Sequence, residues 1–296
     1  ATYHLGVIQI VIKNIAKVME KTMKTSGAET LSISANIFVG QTEAPILIRP
    51  YISKMTNSEL MTVMVGGFST VAGSVMALYV TWLNNIPEIA GHLLAASVMS
   101  APAALMVAKI IYPETKSYQI INSNSIKLKS QDNNLVDAIG RGATDGLKLA
   151  ANVAAMLIAF ISLVAMINFI LSLLGTSMQE MLGLLFKPLA WTMGIPWADA
   201  KIVGTLMGEK IVLTELIAFR DLSDYVSNNT ISERSVIIAS YALCGFANFG
   251  SIGIQLGGIG SMAPKRKKDL SKLVFKAMLG GAIASWLTAS IVGILI

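Results

Sequence analysis

Four long stretches without a formal charge dominate the distribution of apolar and polar residues along the chain. They lie between Glu59 and Glu88, from Leu149 to Gln179, from Ser235 to Pro264, and from Ala277 to Ile296. Each is at least as long as the roughly 20 apolar residues that a helix needs to cross the core of a bilayer. A buried helix of a large soluble domain would explain one such stretch, but four together predict an integral membrane protein.

Two shorter segments differ from these runs because polar residues and prolines interrupt them. Residues 26–52 contain Asn36, Gly40, Gln41, Glu43, Pro45 and Pro50, and residues 197–222 contain Glu209, Lys210, Thr214 and Glu215. Neither segment is apolar enough to cross lipid alone. Irregular backbone at membrane depth is tolerated only inside protein or beside a cavity. The two segments are therefore predicted to be re-entrant helical hairpins, called here the first and second hairpins.

Helix starts are indicated by pairs with capping-box spacing. These pairs are Ser26 with Glu29, Thr56 with Glu59, Ser177 with Glu180, and Thr230 with Glu233. The pattern predicts amphipathic helices over 6–24 and 177–194 and spanning helices over 57–82, 88–110, 146–174, 231–258 and 270–295. Glycine and small polar residues interrupt the spanning helices 57–82 and 231–258.

The order of these elements repeats. An amphipathic helix, a hairpin, a glycine-broken helix and a plain helix occur twice, with the long helix between the two sets. Positively charged clusters place the loops that carry them on the cytoplasmic side. The first hairpin then enters from the cytoplasm and the second from outside, so the repeats are inverted, as in many secondary transporters.

The predicted fold class is an all-α integral membrane protein with inverted repeats of re-entrant hairpin plus broken transmembrane helix. Residues 1–24 are assigned to an interfacial amphipathic helix and 25–112 to the first repeat. Residues 113–145 are assigned to a cytoplasmic loop, 146–175 to a long scaffold helix, and 176–296 to the second repeat.

Composition supports the membrane assignment. Of 296 residues, 54% are hydrophobic and only 14% are charged, against about a quarter charged in soluble domains. The net charge of +6 comes largely from clusters at Lys13, Lys17, Lys21 and Lys24, at Lys116, Lys127 and Lys129, and at Lys265, Arg266, Lys267 and Lys268. A nucleic-acid site is the alternative for the last cluster. Its position in a short loop between two apolar runs favours a role in topology instead.

Enzymatic signatures are absent from the sequence. His4 and His92 show no metal-ligand spacing, and neither a nucleophile motif nor a phosphate-binding loop is visible. The single cysteine, Cys244, excludes a disulfide framework. The chain begins with Ala1 and shows no signal peptide, which we take to indicate an N-terminally truncated chain.

Glu43 and Glu215 are the main candidates for chemistry, because each lies in the polar centre of a hairpin. A carboxylate at membrane depth costs about 2.5–3.5 kcal/mol on the insertion scale, so it is expected to face a site or a partner. The alternative is a structural ion pair with Lys210 or Arg49. A sugar diol would donate two hydrogen bonds to such a carboxylate.

The first broken helix and the first hairpin suggest a cation site. Asn36, Thr70 and the backbone around Val39 and Val71 offer the oxygen ligands that hard cations prefer. Packing of small polar residues between helices is an equally good explanation of Thr70.

On the second broken helix, two polar residues share a face. Asn248 and Ser251 are three residues apart, so their side chains lie on the same side of a helix. Phe246 is close by. It either packs on a bound ring or belongs to the core.

The stretch Asn36-Ile37-Phe38-Val39-Gly40-Gln41-Thr42-Glu43-Ala44-Pro45 resembles the concentrative nucleoside transporters, of the sodium-coupled bacterial type. Further matches are Gly73-Ser74-Val75-Met76, Thr214-Glu215 and Cys244-Gly245-Phe246-Ala247-Asn248-Phe249. The resemblance covers essentially the whole chain. It implies sodium–nucleoside symport by an elevator-type mechanism, a homotrimer in the bacterial inner (plasma) membrane, and no cofactor besides the coupling ion.

The resemblance also implies roles for individual residues. The nucleobase would face Gln41, Thr42 and Glu43, with Val75 nearby. The ribose would be held by Glu215, Asn248 and Ser251, with Phe246 lining the pocket. Sodium would lie at Asn36, Val39, Thr70 and Val71.

The sequence departs from the family pattern in three respects. Thr214 replaces a common asparagine, Thr70 replaces a serine of related bacterial sequences, and the first spanning helices of the family are missing. The polar character at both sites is kept, but trimer assembly is in question because the missing helices belong to the scaffold. A proton-coupled transporter of the same family is the alternative function, followed by a passive channel.

Overall fold

The structure is a computed structural model that describes residues 7–115 and 134–296, and in the helix that follows residue 134 it describes only part of the side chains. Every regular element within these ranges is helical. His4, Lys116, Lys127 and Lys129, and most of the loop predicted over 113–145, lie outside the described residues.

The first half of the chain contains seven helices in the described residues. They are α1 Val7–Met23, α2 Gly27–Asn36, α3 Glu43–Ile46, α4 Arg49–Ile52, α5 Asn57–Ser69, α6 Gly73–Trp82 and α7 Ile89–Ile111. The predicted amphipathic helix is present as α1, which buries Ile12, Ala16 and Met19.

The capping box at the start of α5 is confirmed. The Glu59 amide donates to the Thr56 hydroxyl at 3.1 Å, and the Thr56 amide donates to the Glu59 carboxylate at 2.8 Å. Thirteen residues later the backbone leaves the helix, because Thr70 and Ala72 adopt extended conformations. The helix predicted over 57–82 is therefore two helices, with the break at residues 70–72.

The long helix, α8 Leu135–Ser172, begins earlier than the predicted residue 146. The Asn134 side chain accepts a hydrogen bond from the Asp137 amide at 2.9 Å and so caps the new start. The prediction that 113–145 is loop throughout is thus wrong from Leu135 onward. An isolated asparagine cap is a weaker sequence signal than the capping boxes elsewhere in the chain.

The second half repeats the order of the first. Its elements are α9 Met178–Thr192, α10 Ala200–Val212, α11 Glu215–Ser227, α12 Glu233–Leu243, α13 Phe249–Met262, a 3-10 turn Pro264–Arg266, and α14 Lys267–Leu295. The cap at Ser177 is confirmed, since its hydroxyl accepts from the Glu180 amide at 3.2 Å. The cap predicted at Thr230 is wrong. Ser232 caps α12, and the Thr230 hydroxyl instead donates to the Tyr225 carbonyl near the end of α11.

Three of the described helical stretches are long and apolar enough to cross a membrane: Asn57–Trp82, Ile89–Ile111 and Pro264–Leu295. Large apolar side chains remain exposed on their outer faces, for example Leu94, Val98, Met106 and Ile110 on α7. Exposed apolar surface on this scale suits a lipid environment. The structure is therefore that of a membrane protein, as the charge-free stretches predict.

Helix α14 lies in the centre of the packing, against α5, α7, α12 and α13. Its Gly281 faces the backbone of Phe68 so closely that a Cβ atom would lie 2.9 Å from the Phe68 carbonyl carbon. The last turn of α5, and with it the first helix break, is consequently held directly against α14.

The two broken helices meet at their breaks. Gly245, in the break between α12 and α13, has φ +108° and packs against Phe68 and Ser69 at the end of α5. A Cβ atom on Gly245 would lie 2.7 Å from the Phe68 carbonyl oxygen. Only glycine combines this backbone conformation with so close an approach, so the crossing depends on this residue.

We expect Gly245→Ala to destabilise the protein, because the substitution combines strain of about 1–3 kcal/mol for a positive φ with steric overlap. The matched control is Gly257→Ala in α13, where no atom lies within 4 Å of the new methyl group. Thermal unfolding in detergent would show a lowered Tm for the first variant alone. Equal Tm values would contradict the close crossing.

Candidate functional site

Glu215 is the central acidic residue of the site. It opens α11, is only 5% exposed, and lies beside the crossing of the broken helices. One carboxylate oxygen accepts a hydrogen bond from the Asn248 amide nitrogen at 2.8 Å, and the other accepts a weaker one from the Tyr79 hydroxyl at 3.4 Å. The carboxylate is thus held between α6 of the first repeat and α13 of the second.

Asn248 is fixed at both ends of its amide. Its oxygen accepts from the Ser251 backbone N–H at 2.8 Å, which caps the start of α13. Because the oxygen is committed to the cap, the amide nitrogen is the atom that faces Glu215. The helix break therefore sets the orientation of the polar group.

The first hairpin reaches the same helix through Gln41. Its amide nitrogen donates to the Ser251 hydroxyl at 3.1 Å, and its oxygen accepts from the Gln255 amide at 3.1 Å. Gln255 also donates to the Met64 carbonyl of α5 at 3.1 Å. The chain of amides and hydroxyls connects the first hairpin with both broken helices.

Small residues make room for this network. A Cβ atom on Gly67 would lie 2.7 Å from the Gln255 amide nitrogen and 3.1 Å from Cβ of Gln41. Thr42 packs closely against α13, since a Cβ atom on Gly258 would lie 2.7 Å from the methyl carbon of Thr42. The tip of the first hairpin therefore rests directly on the second broken helix.

Glu43 lies differently from Glu215. It opens the short helix α3 with an exposed side chain, and its carboxylate accepts a hydrogen bond from the Thr42 hydroxyl at 3.3 Å. No hydrogen bond in the described part of the chain links Glu43 to the second hairpin. The structure brings Gln41, Ser251, Asn248 and Glu215 into one neighbourhood but leaves Glu43 exposed outside this network, and the role of Glu43 stays a prediction.

Val75 and Phe246 lie on the apolar side of the site. Both are partly buried and pack against the core cluster that contains Tyr79, Phe219 and Tyr241. Tyr79 stacks on Phe219 with ring centroids 4.0 Å apart. The hydroxyl that contacts Glu215 is therefore carried on a fixed ring.

The candidate cation site lies between the first hairpin and the first helix break. The side chain of Asn36 is fully buried, and in the described residues neither its oxygen nor its nitrogen has a hydrogen-bond partner. Nearby, the Gly73 amide donates to the Phe38 carbonyl at 3.3 Å and joins the hairpin to the start of α6. A buried amide oxygen without a partner is rare, and it fits a hard cation.

The other predicted ligands are placed less clearly. Thr70 and Val71 are buried in the break, and Val39 is partly buried at the hairpin tip. The Thr70 hydroxyl donates to the Gly66 carbonyl at 3.0 Å, which leaves its lone pairs available. No cluster of three or more His, Cys, Asp or Glu that could hold a metal ion occurs in the described residues, so this candidate site consists of neutral oxygens.

The predicted alternative of an ion pair between Glu215 and Lys210 is not what the structure shows. The Lys210 ammonium donates to the carbonyl oxygens of Ala242 and Cys244, each at 3.0 Å. For Glu43, no ion pair with Arg49 occurs among the described residues, and Arg49 is exposed. Both glutamates are thus available for another partner.

Sequence reasoning missed Tyr79, Gln255 and the contacts of Lys210. Tyr79 follows Val75 by four residues and Gln255 follows Ser251 by four, so each shares a helix face with a predicted site residue. That spacing is the signal that would have found them.

Two family models match the chain. One, described as "Na+ dependent nucleoside transporter C-terminus", matches residues 92–293, and the other, described as "Nucleoside recognition", matches residues 1–86. Together they cover nearly all of the chain, including both hairpins.

Several known proteins are similar along 99% of the chain. Sodium/nucleoside cotransporter 1 of Mus musculus is 44% identical, and the chain spans about half (48%) of its length. An uncharacterised transporter of Haemophilus influenzae is 42% identical, with 72% of its length covered. The solved structure of CNTnw in an inward-facing substrate-bound state matches with a TM-score of 0.90 at 43% identity, covering 70% of that chain.

We expect Asn248→Asp and Asn248→Ala to separate the two bonds of this side chain. Aspartate keeps the cap on α13 but sets a second carboxylate against Glu215, whereas alanine loses both bonds. We expect both variants to lower the Tm. An unsatisfied buried group costs about 1–3 kcal/mol.

Lowering the pH from 8 to 5 should restore part of the Tm in Asn248→Asp alone, relative to the unsubstituted protein. A single proton would allow the two facing carboxyl groups to share a hydrogen bond. The same pH response in Asn248→Ala would contradict the proximity of Asn248 and Glu215.

Proposed function

Because the chain belongs to the family of sodium-dependent nucleoside transporters, we propose that it carries out sodium-driven nucleoside uptake by symport. Its fold and its relatives are those of transporters, not of enzymes. The chain spans about half the length of the curated mouse relative, so the activity of the whole protein is part of the proposal.

The observation that carries the proposal is the buried Glu215 carboxylate beside the Asn248 amide. A ribose offers two adjacent hydroxyl groups, each of which donates one hydrogen bond and accepts others. The carboxylate accepts from these hydroxyls, and the amide nitrogen, which donates one hydrogen to Glu215 at 2.8 Å, has a second hydrogen for a sugar oxygen. Bonds to a charged acceptor are among the stronger ones in proteins, which suits selection for ribose.

The nucleobase is assigned to the first hairpin. Gln41 offers an amide that donates and accepts, and Thr42 and Glu43 extend the polar surface toward solvent. Phe246 and Val75 supply apolar surface for a flat ring. The exposure of Glu43 supports this assignment, because its carboxylate lies outside the hydrogen-bond network of Glu215 and can accept a hydrogen bond from a base.

Sodium is assigned to Asn36, Val39, Thr70 and Val71. The unpartnered amide oxygen of Asn36 supports the assignment. An ion there would hold the hairpin against the first break, where Phe38 already contacts Gly73. Gln41 follows Val39 by two residues at the hairpin tip, so sodium would order a residue that is proposed to contact the substrate. Coupling is then the free energy by which bound sodium favours binding of the nucleoside, and by which the bound nucleoside favours binding of sodium.

Movement is proposed to follow an elevator-type mechanism, with a homotrimer in the inner (plasma) membrane as the assembled form. Helices α5, α12 and α13 pack against α14, and the hairpin helices α2 and α10 pack in turn on α5 and α12. Helix α8 joins α9 through Asn168, which bonds Gln179 and Met178. The exposed apolar residues of α8, such as Met166 and Phe169, offer a surface for lipid or for other subunits.

Proton coupling is the alternative within the same family, and a passive channel is the alternative outside it. Uptake of radiolabelled uridine into proteoliposomes, competed by a panel of nucleosides, tests the general function. Replacing sodium by choline at constant pH should abolish accumulation. Undiminished accumulation driven by a proton gradient would favour proton coupling instead, and equilibration without accumulation would favour a channel.

We expect Glu215→Gln to reduce uridine uptake at least 100-fold while the protein stays monodisperse in detergent. The amide preserves the shape but removes the charge that strengthens bonds to the ribose. The matched control is Glu233→Gln at the exposed start of α12. Wild-type uptake by Glu215→Gln would exclude the ribose-binding role.

We expect Asn36→Ala to raise the half-saturating sodium concentration about tenfold, because one oxygen ligand of the ion is lost. Asn84→Ala, at an exposed position after α6, is the control. The measurement is initial uridine uptake against sodium concentration. An unchanged curve would contradict the assignment of Asn36 to the sodium site.

A further inference from the structure

Lys210 is a buried cation in the second hairpin that the proposed transport site does not use. It lies on α10, and none of its side chain is exposed. Removing an ammonium group from water costs several kcal/mol unless other groups replace the water. The side chain must therefore have partners that compensate for this cost.

The partners of Lys210 are three oxygen atoms. The ammonium donates to the carbonyls of Ala242 and Cys244 at 3.0 Å each and to the Ser285 hydroxyl of α14 at 3.4 Å. An ammonium has three donors, and all three are used. The Ser285 hydroxyl in turn donates to the Cys244 carbonyl at 2.5 Å. Lys210, Ser285 and the Cys244 carbonyl are therefore all hydrogen-bonded to one another.

These carbonyls are available because α12 ends here. Cys244 is extended, with ψ 130°, and Gly245 follows with φ +108°. The chain leaves the helix before the residues that would donate to these carbonyls can do so. The C-terminal end of a helix also carries a partial negative charge. A cation is therefore favoured at this point for two independent reasons.

The first repeat has a corresponding place. There α5 ends at Ser69, and α2, the first arm of the first hairpin, ends at Asn36 with its buried, unpartnered amide. A Cβ atom on Gly66 of α5 would lie 3.5 Å from the Asn36 amide nitrogen. Helix α10 is the first arm of the second hairpin, and α12 is the first half of the second broken helix. In both repeats a polar residue near the end of the hairpin arm is thus associated with the first half of a broken helix.

We propose that Lys210 is a tethered cation that occupies in the second repeat the place that the exchangeable cation takes in the first. The inference rests on the proposed function, which assigns sodium to the first break. The ammonium holds the second break permanently, so Asn248 and Ser251 are in place whether or not sodium is bound. The first break takes its cation from solution and so responds to sodium.

The contacts of Lys210 also leave Glu215 available. Glu215 follows Lys210 by five positions along the second hairpin, and the two side chains form no direct ion pair among the described residues. The ammonium is committed to backbone oxygens. The carboxylate therefore keeps its oxygens for Asn248 and Tyr79, and for a substrate. Lys210 is in this sense a positioning residue.

The test uses two variants and a small cation. Lys210→Ala removes three carbons and the ammonium, which n-propylammonium can replace. Lys210→Met fills most of the space without a charge. The probe is n-propylammonium, and n-propanol, similar in size but neutral, is the control. Sodium-dependent uridine uptake in proteoliposomes and Tm in detergent are measured for each variant.

We expect both variants to lose at least tenfold in uptake. n-Propylammonium should raise the Tm and the uptake of Lys210→Ala and leave the unsubstituted protein and Lys210→Met unchanged, and n-propanol should have no effect. If Lys210→Ala does not fold alone, n-propylammonium present during purification should recover a monodisperse protein.

Two results would overturn the inference. Lys210→Met with wild-type uptake and Tm would show that the charge is not needed. Equal effects of n-propanol and n-propylammonium on Lys210→Ala would show that the side chain only fills space. Failure of the proposed function is a separate result, since the unsubstituted protein would then show no sodium-dependent uptake while the Tm response of Lys210→Ala could still be measured.

Discussion

Backbone that leaves a helix inside a membrane protein must find new partners for its carbonyl and amide groups, and this constraint shapes the whole molecule. At the second break, Asn248 satisfies an amide of α13 and Lys210 satisfies two carbonyls of α12. At the first break, the Gly73 amide bonds the Phe38 carbonyl of the first hairpin. Each break therefore needs the hairpin of its own repeat, and the two breaks meet at Gly245.

The polar groups that satisfy the breaks are also the groups proposed to bind the transported species. Asn248 caps α13 with its oxygen and presents its nitrogen to Glu215. Gln41 extends from the first hairpin to Ser251 on α13. Because the same side chains maintain the fold and form the site, movement of a hairpin would alter the site, which is the coupling that a transporter requires.

Much of this arrangement follows from the sequence. Long charge-free runs predict the spanning helices, and capping boxes such as Thr56 with Glu59 fix helix starts, because these signals are local. The extent of α8 and the cap at Ser232 were missed, since a lone Asn or Ser is common outside helix starts. The hydrogen-bond partners of Gln255 and Lys210 lie on distant helices, and spacing along the chain cannot specify those partners.

The central claim is that a buried carboxylate recognises the sugar. Titration calorimetry of the purified protein in sodium, with uridine and adenosine and their 2′,3′-dideoxy forms, tests it directly. The account predicts that whichever parent nucleoside binds loses about 100-fold or more in affinity on removal of both hydroxyls, because two bonds to a charged group are lost. Equal affinities of parent and dideoxy compound would contradict it.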